Sequence, residues 1–206
     1  MEVLQLNNEV QLEGKVDSVL TVSHEIYGEV FYKFYLSVPR LSECMDNVLI
    51  TVSERMLNEM EIKIGDMLQV EGQYRSYNNY TGEGNKLILT VFAKNIYPMT
   101  ENFVSPNYVY LNGYICKAPT YRTTPFGREI ADILLAVNRH YGKSDYIPCI
   151  AWGRNAKFCS ALEIGTNLKV WGRIQSRQYK KKIDDEIYEE RTAYEVSISK
   201  MEIVKG

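Results

Sequence analysis

The chain has 206 residues, 24 of them Lys or Arg and 26 Asp or Glu, giving a formal net charge of −2, and 45% of its residues are apolar. That apolar share excludes a disordered chain, and no apolar run approaches the roughly 20 residues that a membrane-spanning helix needs. Four cysteines without a C-x-x-C pair and two isolated histidines exclude a disulfide framework and a His/Cys metal site, so neither metal nor cofactor is expected.

Taken in chain order, every predicted element occurs twice. The first strand lies in NEVQLEG at 8–14, where Val10, Leu12 and Gly14 alternate with polar residues at the period of a half-buried strand, and it recurs 99 residues later as NYVYLNG at 107–113. The second strand, over 30–38, runs through YKFYLSVPR (32–40) and recurs over 129–137 within ADILLAVNR (131–139). A third strand is expected at 47–52 and 145–152, then a short helix at 54–61 and 154–162. Gly65 and Gly165, each after an isoleucine, are read as the points where the chain leaves that helix. IGDMLQVEG at 64–72 recurs as IGTNLKVWG at 164–172, opening a fourth strand at 67–75 and 167–177, and a hairpin tip leads to the last strand at 86–97 and 188–204.

The repeated blocks keep one order with a single inserted residue, so the chain is two copies of one domain, 1–98 and 107–206, joined by a linker at 99–106. Five strands with one helix between the third and fourth is the order of the OB-fold. The expected fold class is therefore all-β: two tandem five-stranded OB-fold barrels with one short helix per domain. Gly14 and Gly113 suit the bend at which a first strand serves both sheets of a barrel. The copies differ in charge: residues 1–102 carry a net −7 and residues 103–206 a net +5. A basic copy beside an acidic one points to the second as the half shaped for a polyanion.

Candidate binding residues concentrate in that second copy. Tyr141 and Tyr146 flank a polar turn holding Lys143, with Arg139 just before it, an arrangement suited to stacked bases with a phosphate on the lysine. Trp152 ends the third strand, followed closely by Arg154; it either faces a ligand or caps the barrel core. Arg173, Arg177, Tyr179 and Lys181 run up the fourth strand into its hairpin, basic residues spaced around an aromatic. Asp184 to Glu186 follow, so the lysines of that hairpin are the weaker candidates and the two arginines the stronger. Arg122, Phe126 and Arg128 fall in the first inter-strand loop, YRTTPFGR at 121–128, as a clamp at the barrel rim. Trp171 faces opposite to Leu168 and Val170 and is either a subunit interface or a nucleic-acid platform; its counterpart in the first copy is Glu71. The first copy offers Arg75, Tyr77 and Tyr80 against many carboxylates, and is expected to be mainly an assembly partner.

The second copy resembles the bacterial-type single-stranded DNA-binding protein family along almost its whole length. The resemblance rests, in order, on Asn107 to Gly113, Ala118-Pro119, the turn from Arg122 to Gly127, IADILLA at 130–136, CIAWGR at 149–154 and IGTNLKVWGRIQSR at 164–177. It implies an OB-fold, base-stacking aromatics at Tyr141, Tyr146, Trp152 and Tyr179, and basic side chains on the phosphates. With MEIVKG at 201–206 following directly on the last strand, the family's long linker and acidic tip, which recruit partner enzymes, are not expected. Two domains per chain imply a homodimer presenting the four OB domains of the family's tetramers.

No phosphate-binding loop, nucleophile elbow or HExxH motif is present, so an enzyme is not expected. Two functions stay open. One is sequence-independent binding of single-stranded DNA, with RNA as a variant, protecting strands in replication, repair or recombination. The other is a protein–protein adaptor in a replication or conjugation assembly. No signal peptide or membrane contact is expected, and the cytoplasm is the expected location.

Overall fold

The computed structural model describes residues 7–40, 42, 44–79, 87–100, 107–182, 184 and 188–204; at Tyr141 only the backbone is described. The first copy contains β1 (Asn8–Val16), β2 (Thr21–Ile26), β3 (Glu29–Pro39), β4 (Met45–Ser53), α1 (Glu54–Glu59), β5 (Met67–Asn78) and β6 (Leu87–Pro98). The second contains β7 (Asn107–Thr123), β8 (Glu129–Asn138), β9 (Ser144–Trp152), α2 (Arg154–Ser160), β10 (Asn167–Lys182) and β11 (Tyr188–Ile203). Of the expected linker, 101–106 lie outside the described residues.

Each copy closes on itself. In the first, β1 pairs with both β3 and β5, β3 with β4, β4 in parallel with β6, and β6 with β5. In the second the same circuit runs through β7, β8, β9, β11 and back to β10. Both are five-stranded OB barrels with a helix between the third and fourth barrel strands. Alternation drives closure: Val10, Leu12 and Val16 of β1 and Val109, Leu111 and Ile115 of β7 are buried, while the residues between them stay largely outside the core. Gly14 and Gly113 sit where the first strand of each barrel crosses the second. A Cβ there would lie 2.6 Å from the Ser37 carbonyl oxygen or 2.7 Å from that of Ala136, so only glycine fits.

The structure corrects two expectations. Tyr121 and Arg122 are not in a loop: β7 extends through Thr123 and pairs with β8, and the turn is confined to the residues before Glu129. The same arm in the first copy is the separate strand β2. Gly65 and Gly165 do not end the helices, which stop at Glu59 and Ser160. Each instead adopts a positive φ in the turn into the next strand, and its N–H donates to the Val16 or Ile115 carbonyl at 2.9 and 2.8 Å.

The two barrels share an antiparallel seam. β1 pairs with β7, with Val10 opposite its own counterpart Val109, so a pseudo-twofold axis passes through that pair. The result is a continuous sheet β6-β5-β1-β7-β10-β11. Asn8 and Asn107 flank the axis; each side chain bridges the backbone of the fourth barrel strand, Asn8 at Tyr74 and Asn107 at Ile174.

Two matching ionic clamps lie across the seam. Asp46, fully buried, accepts two hydrogen bonds from Arg40 at 2.7 and 2.6 Å and two from the Ser176 backbone N–H and hydroxyl, at 2.6 and 2.8 Å. On the other side Asp145 accepts from Arg139, from the Ser76 N–H at 2.6 Å and from Arg75 at 3.2 Å. Each arginine also reaches the serine carbonyl of the opposite domain, Arg40 to Ser176 and Arg139 to Ser76.

Candidate nucleic-acid interface

Opposed residues on neighbouring strands point to one face of a sheet. Arg122 of β7 lies opposite Ile130 of β8, which lies opposite Trp152 of β9, so Arg122 and Trp152 end one row on the outer face of the second barrel. Trp152 is 36% exposed, and its indole N–H donates to the Ser197 hydroxyl at 3.2 Å, which fixes the ring against β11. Ser197 in turn lies opposite Arg173 of β10. From there Arg173, Arg177, Tyr179 and Lys181 follow at two- or four-residue steps along one face of β10. Tyr146, half exposed, is six residues before Trp152 and shares its face. Six expected residues, scattered over 60 positions of sequence, thereby meet on one surface with Tyr146 beside them.

The cations on that surface are not all available. Arg177 pairs with the buried Glu195 at 3.5 Å and lies over the Tyr179 ring at 5.7 Å, so its charge is already partly used. Arg122 is held by Asp132 at 2.7 Å; this hydrogen bond outweighs burial and keeps the guanidinium's proton more firmly than usual. The Arg122–Asp132 pair is exposed on both sides, a kind worth about 0–1 kcal/mol, so a phosphate can compete for Arg122. Arg173 is exposed with no ion pair among the described residues.

Other expected residues lie elsewhere. Phe126 stands at the tip of the β7–β8 turn with its ring 92% exposed, beside Gly127 at φ +74°, and Arg128 closes the turn by donating its backbone N–H to Thr124. Lys143 is exposed in the β8–β9 connection, and Arg154 is exposed at the start of α2. The side chain of Tyr141 lies outside the described residues, as does Tyr80. Arg139 is the clear departure: its guanidinium is committed to Asp145 and the Ser76 carbonyl in the seam. Trp171, two residues before Arg173 on the same face of β10, lies on the six-stranded sheet, tilted against Tyr110 at 5.2 Å and covered by the Lys200 ammonium at 4.5 Å.

The sequence missed the hollow of the first barrel. Its wall includes Tyr35, Tyr77, His24 and Ile88, and its volume is about 720 Å³. Tyr77 was among the residues offered for the first copy; Lys33 and Tyr35, outward positions of β3 whose inward neighbours were easy to assign, were not.

Among the described residues no group of three or more His, Cys, Asp or Glu is arranged to hold a metal ion, and no helix is long and apolar enough to cross a membrane. Burial pushes the Cys149 thiol well up and that of Cys159 to about 11, so both stay protonated at neutral pH.

The second domain is thus a closed five-stranded OB barrel with exposed aromatics and arginines on one outer face. Residues 106–204, just under half of the chain, match the model of the single-strand binding protein family. Single-stranded DNA-binding protein 1 of Staphylococcus aureus (strain COL) is 40% identical over 80 residues, covering 35% of this chain and 48% of that protein. Single-stranded DNA-binding protein A of Bacillus subtilis (strain 168) is 38% identical over 80 residues, covering 35% and 46%. The chain thus spans about half the length of the curated relatives it matches. The wild-type single-stranded DNA binding protein of Thermus aquaticus superposes with a TM-score of 0.78 at 21% identity, covering 97% of this chain and 93% of that one. That likeness extends the two-barrel architecture over the first domain as well.

Proposed function

We propose that the protein binds single-stranded DNA irrespective of sequence and shields exposed strands during replication, repair or recombination, with no catalytic step of its own. The observation that carries this is the gathering of Arg122, Trp152, Arg173, Arg177 and Tyr179 on one face. Flat rings accept any base, and guanidiniums accept the phosphates between them, which is how a sequence-tolerant single-strand site works. The family matched by the second domain and the names of its relatives support the same reading. The outer face of the six-stranded sheet, with Trp171 and Tyr110, supports a homodimer presenting four barrels, and a cytoplasmic protein fits this role.

The test is a fluorescence titration with oligo-dT and with duplex of equal length at two salt concentrations. Oligo-dT alone should quench, more weakly at higher salt, and Trp152→Ala should weaken binding by about 1–3 kcal/mol. Absence of any complex with oligo-dT would remove this reading and leave the adaptor.

A further inference from the structure

The helices α1 and α2, each with the segment that follows it, hold equivalent places on the two barrels, but the surfaces they make differ in kind. At the first, Val19, Leu20, Leu57, Met60, Ile62 and Ile64 line an apolar groove of about 530 Å³. Its floor is firm: Leu20, Leu57 and Met60 pack against the core, and Ile62 is part of it. Its edges stand in solvent, with Val19 63% and Ile64 60% exposed. Apart from Val19, none of these residues lines the hollow beside Tyr77, so the groove is a surface of its own.

The backbone around the groove is fixed. The Val16 N–H donates to the Asp66 carbonyl at 2.9 Å and the Lys63 N–H to the Asp66 carboxylate at 2.7 Å, which ties this turn to β1. On the other edge the Asp17 N–H donates to the Tyr35 carbonyl at 2.9 Å. A groove held in this way receives a side chain at little ordering cost. Its rim is acidic: Glu59 and Glu61 are exposed, Lys63 is already paired with Glu61 at 2.9 Å, and residues 54–66 carry net −2.

The second barrel is built the other way. Ala118, Pro119, Lys157 and Ser160 stand in the places of Val19, Leu20, Leu57 and Met60, so the large apolar walls are not repeated. Instead Phe158, where the first copy has Asn58, stands on α2 with 46% of its surface exposed. Arg154, one turn earlier on the same face, is exposed and has no ion pair among the described residues. Lys157 is exposed beside it and pairs with Glu129 at 3.1 Å; residues 154–166 carry net +1. One barrel thus offers an apolar groove with an acidic rim, the other an aromatic knob with a basic flank. Within one chain the knob is exposed and the groove open, so neither fills the other.

We propose that the two surfaces are halves of one interface between copies of this chain. Phe158 of one molecule enters the apolar groove of the next, with Arg154 and Lys157 against Glu59 and Glu61. The contact joins unlike surfaces, so it does not end at two molecules but adds copies in a row or ring. It is separate from the sheet face that carries Trp171, and it needs no nucleic acid, so it goes beyond the single-strand reading. One short helix in one groove makes a small interface, of the class under roughly 1,200 Å² that associates weakly, and the charges at its rim make it salt-sensitive.

The experiment follows the weight-average mass of the full chain by sedimentation equilibrium, without DNA, from micromolar to near-millimolar protein. At low salt the mass should grow without levelling at a dimer, and high salt should reduce the growth. Phe158→Asn installs the residue of the first copy and Met60→Ser that of the second; each should lower the association constant about 10- to 100-fold. Mixed in equal amounts, the two variants should associate again, since one keeps the groove and the other the knob. Glu61→Lys, at an exposed position, serves if Met60→Ser does not fold. With Phe158 replaced by p-benzoylphenylalanine, light should link one chain to the 56–64 segment of another. The proposal is overturned if the parent stays a monomer or levels at a dimer, if Phe158→Asn associates like the parent, if the mixed variants stay apart, or if the link falls elsewhere. Binding of oligo-dT is read separately, and its failure would leave this contact standing.

Discussion

Asp46 has no exposed surface, yet it holds its charge. Burial alone would raise its pKa; the hydrogen bonds from Arg40 and then those from Ser176 outweigh this and hold the carboxyl below its ordinary 3.8. Because the folded value is the lower one, the stabilisation is fully present above the unfolded value and is lost as pH falls through the folded value. Acid melts should show the parent losing stability below about pH 4, and Asp46→Asn should lack that step. Asp46→Ala leaves Arg40 facing the seam without its anion and should cost about 3–5 kcal/mol in denaturant unfolding. The sequence disclosed the identities of these residues but not their pairing. Arg40 and Asp46 are six apart, and nothing local announces that Ser176, 130 positions from Asp46, completes the site. Arg139 was misplaced for the same reason: a basic residue beside a polar turn looks solvent-facing until the partner domain supplies a carbonyl and closes over it.

At the scale of elements, the strands were legible because burial follows their period of two, and the repeat checked each assignment against its copy. The bend in the first strand was legible too, since Gly14 and Gly113 recur where the barrel must be crossed. Gly113→Ala would drive a methyl into the Ala136 carbonyl; the expected cost is about 1–3 kcal/mol, read as a lowered midpoint with oligo-dT binding retained at low temperature. Helix ends were not legible. A glycine after a helical stretch satisfies the usual stop pattern, but Gly65 and Gly165 answer a different need, latching the turn onto the barrel's first strand. The extension of β7 through Thr123 escaped for the opposite reason: Pro119 and Pro125 look like loop punctuation, yet Thr120 to Thr123 still pair with β8.

For the whole molecule, charge read half by half sets a net −7 first half against a net +5 second half. Net charge measures the average surface, and in the acidic domain the hollow beside Tyr77 has no carboxylate among the described residues that line it. What the sequence could not carry was the joining of the halves, because pairing of β1 with β7 depends on two edges that each domain leaves open. Where such edges meet between separate chains, the contact follows mass action and comes apart on dilution. Here both edges belong to one polypeptide, so the pairing is a first-order event whose occupancy does not depend on how much protein is present. Amide exchange at Val10 and Val109 should therefore be equally slow at nanomolar and micromolar protein. Two barrels would then arrive together at any strand, even when only a few molecules are available to find it.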